Sequence, residues 1–252
     1  MTPLDASKAF ESRNLFTIHI GGAAIPVADS IVVMWIIMAV LITLSVIFTR
    51  NLKKVPTGKQ NVAEIIVETV TKLLKSIMGE HAADFVPYFG TILLFLVFAN
   101  IAGIFNILPT SADLYKITGL PFFASIPEFS YDPPTKDLNI TVTMALMTVS
   151  LVMISGIRYK GIKKFLLSFI KPVPIMLPFH ILDYGTRTIS LSLRLFGNIL
   201  AGYIIMEMLY AGAIFVKPIV PIASFFFDIF DACLQAYIFV FLSSVYISEA
   251  VE

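Results

Sequence analysis

Charge is what this 252-residue chain has least of: Asp, Glu, Lys and Arg make up 14% of it, against 58% hydrophobic residues. A soluble domain carries about 25% charged and roughly 45–50% apolar residues, so a soluble fold of this composition would lack the polar surface to cover itself. Mean hydropathy is +0.88, and lipid is the solvent that accounts for the excess. The single cysteine, Cys233, excludes an intrachain disulfide and any multi-cysteine metal centre. The three histidines, His19, His81 and His180, stand far apart, without a His-Glu-x-x-His signature. That argues against an intramembrane enzyme, which needs a metal-ligand cluster or a nucleophile–base pair. Net charge is +1 with no basic block, so nucleic acid is not expected as a partner. The first thirty residues carry Asp5, Lys8, Glu11 and Arg13 but no apolar core before a cleavage site and no Arg-rich transit pattern. The start is therefore expected to be mature and unprocessed. Internal repeats and paired broken helices are also missing. They would mark the alternative reading, a secondary transporter binding an anionic substrate at a midplane arginine.

What the chain does have is uncharged runs of bilayer length. About 20 residues at 1.5 Å rise cross a ~30 Å hydrocarbon core. Residues 30–49 form the first run, ended by Arg50, Lys53 and Lys54, and 85–108 the second. Residues 138–157 form the third, ended by Arg158, Lys160, Lys163 and Lys164. Single crossings put both basic clusters on one side, which the positive-inside rule assigns to the cytoplasm. The N-terminus and a tail of residues 1–29 are then outside. The loop from Pro109 to Lys136 is outside as well, read as a compact cap without regular structure. Between the first two spans, residues 61–80 place Ile66, Val70, Leu73 and Ile77 at helical spacing, with Glu64, Glu68, Lys72 and Lys75 towards another face. This predicts an amphipathic helix, lying at the interface or packed on a partner subunit.

The predicted fold is an all-α membrane protein of five to six membrane helices plus that amphipathic helix. Its last third, residues 174–215 and 221–249, reads as two overlong apolar helices joined at Pro218 and Pro221. Both exceed an upright crossing, so a strongly tilted hairpin is expected. Polar residues form stripes along it. Arg187, Ser190, Arg194, Asn198 and Ala201 share one face, and Asp228, Asp231 and Gln235 another. Tyr203, Glu207 and Tyr210 make a third line. An arginine at the membrane centre costs roughly 2.5–3.5 kcal/mol on insertion scales. Arg194 has apolar neighbours on both sides, which disfavours snorkelling to a headgroup. Arg187 lies nearer the basic end, where snorkelling is the favoured reading. Asp228 and Asp231 read as functional carboxylates, as a buried bonded pair, or as exposed residues near the turn. Gln235 reads either as functional or as an amide joining two helices. Ser190, Gly197, Ala201 and Gly202 keep the helix narrow, admitting either a helix of this chain or a separate, moving subunit.

These residues carry a resemblance. Ser190-Leu191-Ser192-Leu193-Arg194-Leu195-Phe196-Gly197-Asn198, followed by Ala201-Gly202, resembles the signature of the a-subunit of rotary F-type ATP synthases. Leu234-Gln235-Ala236-Tyr237-Ile238-Phe239 resembles that family's last-helix motif, and Asp137-Leu138-Asn139-Ile140-Thr141 gives a third match. The resemblance implies a non-enzymatic stator subunit with no cofactor, set beside a proteolipid c-ring and peripheral-stalk b subunits in a bacterial plasma membrane. Two offset half-channels would pass protons or sodium ions to and from a ring carboxylate. Arg194 would lie between them as latch and leak barrier, oriented by Asn198 and Gln235. The chain departs from the family pattern at Tyr203, where many relatives have Glu or His, and at His180, where an acidic residue is common. Glu207, Asp228 and Asp231 are expected in the external access path, with Asp137 and Asn139 near its mouth. His180 and Asp183 are expected in the cytoplasmic path.

Overall fold

The computed structural model describes residues 14–20, 23–50, 52–103, 133–170, 175, 177–211 and 220–251. Five helices in it are long and apolar enough to cross a membrane, and the chain is an all-α membrane protein. α1 runs Asp29–Thr49, α2 Lys59–Met78, α3 Ala82–Ile101, α4 Leu138–Lys160 and α5 Ile162–Ile170. α6 runs Leu177–Ala211. The last rod is α7 (Val220–Ser224), a π-helical segment (Phe225–Phe230) and α8 (Asp231–Val251). Ahead of α1, Asn14–Ile20 pairs antiparallel with Ala23–Ala28, within the stretch read as an external tail. The loop expected as a compact cap falls mostly in residues 104–132, and the expected turn at Pro218 falls in 212–219, both outside the described residues.

Helix boundaries follow local chemistry. α2 ends where Gly79 takes φ 58° and its N–H bonds the Lys75 carbonyl, a left-handed cap that a side chain would strain. Gly161 does the same between α4 and α5 at φ 80°, its N–H bonding the Ile157 carbonyl at 2.9 Å. The next helix is α5, nine residues that sequence reading did not separate.

The chain forms two compact units. The first comprises Met1–Val40, Phe95–Asp137 and Phe196–Leu234. Buried Val33, Ile37, Leu96, Ala99 and Ile199 form its apolar interior. Buried polar groups pair across it: Thr135 Oγ1 donates to Asn100 Oδ1 at 2.6 Å, and Ser30 Oγ to Asp137 Oδ2 at 3.1 Å.

The second unit comprises Leu41–Leu94, Leu138–Leu195 and Gln235–Glu252. α2 docks through Val70, Leu74 and Met78, while Val62, Ile65 and Val67 on its first half stay exposed. α4 buries Thr141, Thr148 and Ser155 at seven-residue spacing. Met144, Ala145, Val149 and Val152 are buried between them, and Thr141 reaches Ser192 of α6 at 3.4 Å. At Gly156 the packing is tightest: a Cβ there would sit 2.4 Å from a Phe165 ring carbon and 3.3 Å from the Ala250 carbonyl oxygen. A side chain at 156 would require the Phe165 ring to shift. Tyr159 at the end of α4 donates its hydroxyl to Asp84 at the start of α3.

Candidate functional site

α6 presents a hydrophobic ridge, with Leu191 and Leu195 each 1% exposed, and sets Arg194 between them, half-buried. Among the described residues no hydrogen bond or ion pair engages its guanidinium. On α8, Gln235 is 7% exposed and its Oε1 is buried without a hydrogen-bond partner among the described residues. A buried amide oxygen left unpaired costs about 1–3 kcal/mol. Both side chains therefore hold unused polar capacity in the second unit.

In the first unit, Asn198 Nδ2 donates to Asp231 Oδ2. One turn along each helix, Gly202 meets Phe227, whose Cδ1 would lie 3.5 Å from a Cβ on the glycine. Both contacts run antiparallel with one register: four residues up α6 match four residues down the last rod. Asp231 opens α8, and its N–H bonds the carbonyl of Phe226, a π-type closure. The expected shared face of Asp228, Asp231 and Gln235 assumed α-helical phase throughout. Asp228 lies inside the π segment, where the phase per residue differs, so that spacing argument holds for Asp231 and Gln235 alone. The side chains of Tyr203, Glu207 and Asp228 lie outside the described residues, as does that of Tyr210.

The small residues on α6 are open outward. Ser190 and Ala201 are exposed, Leu193 is 53% exposed, and a Cβ on Gly197 would meet nothing within 4 Å. No described helix of this chain makes the close approach that the narrow stripe allows at Gly197. Asp137 accepts from Ser30, as above. Asn139, exposed at the start of α4, accepts from Thr143 Oγ1 through its carbonyl.

His180 and Asp183 line one cavity of about 260 Å³, together with Tyr184, Arg187, Tyr246 and Glu249. Arg187 does not snorkel freely. Its Nη2 sits 2.8 Å from Asp183 Oδ2 and 2.7 Å from Glu249 Oε2, and its guanidinium carbon lies 4.4 Å from the Tyr246 ring centroid. The i,i+4 spacing of Asp183 and Arg187 was a legible signal for the first bond. Nothing local announced Glu249.

Bilayer-length helices, one of them carrying an arginine with no counter-ion among the described residues, define a multi-pass membrane protein that keeps charge within its apolar length. A family model of the ATP synthase A chain matches residues 31–248. The chain belongs to that family: it is a subunit of the ion-channel sector of ATP synthase, in the membrane, serving ion transport and ATP synthesis within that complex.

Proposed function

We propose that the chain is the stator half of a rotary ion path, in which Arg194 meets the carboxylates of a proteolipid c-ring one after another. The observation that carries this is the guanidinium of Arg194, without a counter-ion among the described residues, inside a bilayer-length helix. Buried charge without a counter-ion is costly, and a passing carboxylate would offset that cost. A ring carboxylate must be neutral or ion-loaded while it faces lipid. Beside Arg194 it can ionise, because a neighbouring cation favours the charged form. The same positive charge opposes a proton or sodium ion slipping straight from one half-channel to the other. A guanidinium suits the task because it stays charged when partly desolvated.

Three features support the reading. The small, outward-open stripe through Ser190, Gly197 and Ala201 suits a neighbour that slides past. The antiparallel register of Gly202 with Phe227 and Asn198 with Asp231, read one turn further on each helix, pairs Arg194 with Gln235. The unpaired Gln235 oxygen is then an acceptor for a guanidinium N–H, orienting the arginine without neutralising it.

Two half-channels serve the latch in this proposal. Glu207, Asp228 and Asp231, with Tyr203, belong to the external path, and Asp137 and Asn139 to its mouth. His180 and Asp183 belong to the cytoplasmic path. In this proposal α6 lies tilted, since its 35 residues at about 1.5 Å each exceed the ~30 Å core. Partners are the c-ring, peripheral-stalk b subunits and the remaining ATP synthase subunits, in a bacterial plasma membrane with the N-terminus outside. The deciding experiment is Arg194→Ala in the assembled complex. ATP-driven ion pumping in inverted vesicles should be abolished while complex content stays near wild type, and retained coupled pumping would refute the latch.

A further inference from the structure

One cavity of the second unit holds His180 and Asp183, which the proposed path uses, beside Arg187, Tyr246 and Glu249, to which that path assigns nothing. Arg187 draws two carboxylates from two helices onto one guanidinium: Asp183 from its own helix and Glu249 from α8, at 2.8 and 2.7 Å. Tyr246, one turn before Glu249, stacks under the same guanidinium at 4.4 Å. The end of α8 is also tied elsewhere. Ser248 Oγ donates to the Ile77 carbonyl of α2 at 3.2 Å, and the Ala250 carbonyl packs on Gly156 of α4. Those ties fix α8 to α2 and α4. Arg187 ties it to α6.

The position on α6 matters. Arg187 precedes Arg194 by seven residues, about two helical turns, and α8 carries Gln235 as well as Glu249. Whatever sets the spacing of α6 and α8 at the cavity also sets the spacing available to Arg194 and Gln235. Without Arg187, the Asp183 and Glu249 carboxylates would lose the guanidinium that bridges them. Lys160 of α4 would remain as a cation lining the same cavity, and the two carboxylates, as like charges, would repel across the gap between α6 and α8. The end of α8 would then be pushed off α6 and the cavity would open sideways.

We propose that Arg187 is a positioning residue, an interhelical clasp that closes the side wall of the cavity and holds α8 against α6 so that Arg194 keeps its orienting amide. This rests on the translocation reading above. A guanidinium serves better than an ammonium here because it binds two carboxylates in a fixed fork and stacks flat on an aromatic ring. A lysine should therefore restore part of the clasp and a glutamine almost none.

The test uses whole ATP synthase in inverted membrane vesicles, with Arg187→Gln, Arg187→Lys, Glu249→Gln and Arg194→Ala compared with wild type. Complex content, ATP hydrolysis, ATP-driven pumping and passive ion leak after removal of the catalytic sector are measured together. Arg187→Gln should lower pumping about three- to tenfold, the scale of coupling changes made by residues that touch neither ligand. Hydrolysis and content should hold, and leak should rise. Arg187→Lys should fall between, and Glu249→Gln should leak as well, since it severs the interhelical bond alone. A merely structural role would lower content, hydrolysis and pumping in proportion without leak. If Arg187→Gln fails to assemble, Glu249→Gln decides by its leak. Wild-type leak and pumping in Arg187→Gln and Glu249→Gln overturn the clasp, as does a proportional loss without leak in either. With Arg194→Ala inactive, either result leaves the latch standing. Pumping by Arg194→Ala would instead remove the reading on which the clasp rests.

Discussion

Arg187 and Arg194 share a helix and a charge, but their surroundings differ, and so do the duties proposed for them. Arg187 is saturated by two carboxylates and a tyrosine ring, so its charge is spent inside the chain. Arg194 has no such neighbours among the described residues, so its charge remains available to something outside. Asp231 illustrates a third condition, a carboxylate accepting from a neutral amide. That bond survives if the acid becomes an amide turned to present its oxygen, so Asp231→Asn separates bonding from titration. If Asp231 carries protons in the external path, Asp231→Asn should assemble normally yet pump about tenfold more slowly. That is less than the hundredfold or more of a lone proton-transfer group, because Glu207 and Asp228 share the proposed path. Unchanged pumping by the asparagine variant would reduce Asp231 to a partner for Asn198.

At the scale of elements, α4 is the most constrained helix of the second unit. It buries Thr141, Thr148 and Ser155 among Met144, Ala145, Val149 and Val152, and Gly156 admits Phe165 and the end of α8. Gly156→Ala should cost about 1–3 kcal/mol, the usual penalty of overpacking. It should appear as a lower midpoint in thermal unfolding of the purified complex, and an unchanged midpoint would mean that Phe165 can swing away. Thr141→Val should cost less, near the ~0.6 kcal/mol average of interhelical hydrogen bonds in membranes. The existence of α1, α3 and α4 was legible because an uncharged run between basic clusters has few other destinies than lipid. α6 was legible for the same reason. The partnership of Arg187 with Glu249 was not, since the two lie 62 positions apart and no local pattern encodes which distant helix will pack. The tightness at Gly156 was hidden likewise, because one glycine among thirteen reveals its need only once Phe165 arrives. The short sheet ahead of α1 has β-branched residues in both strands but too few of them to compete with the helical signal that follows. Of the candidate site, Arg194, Asn198 and Gln235 stood out because polar groups in lipid-length helices are expensive. The π turn had no signature in Phe225-Phe226-Phe227-Asp228.

Across the whole molecule, charge is unevenly placed along the helices. Basic residues follow α1 and end α4, while α6 and the last rod carry Asp183, Glu207, Asp228, Asp231 and Glu249 along their lengths. Asp113 and Asp228 are both aspartates, yet the sequence puts the first between the second and third apolar runs, outside the described residues, while the second belongs to the last rod. Asp228→Asn should slow ATP-driven pumping more than Asp113→Asn, measured in the same vesicles. Equal effects would detach Asp228 from the external path.

The π segment bears on how this chain is compared with its relatives. A π turn holds one residue more than an α turn of similar advance along the axis. The rod therefore works like a slip joint, taking up a single extra residue between Val220 and Asp231 while Gln235 and the whole of α8 keep their place. A relative one residue shorter here would have an unbroken α-helix and the same glutamine. Roles assigned by counting outward from Gln235 would then carry over faithfully towards Glu249 and shift by one on passing back through Phe230. Asp228 is the first acidic residue on the far side of that shift.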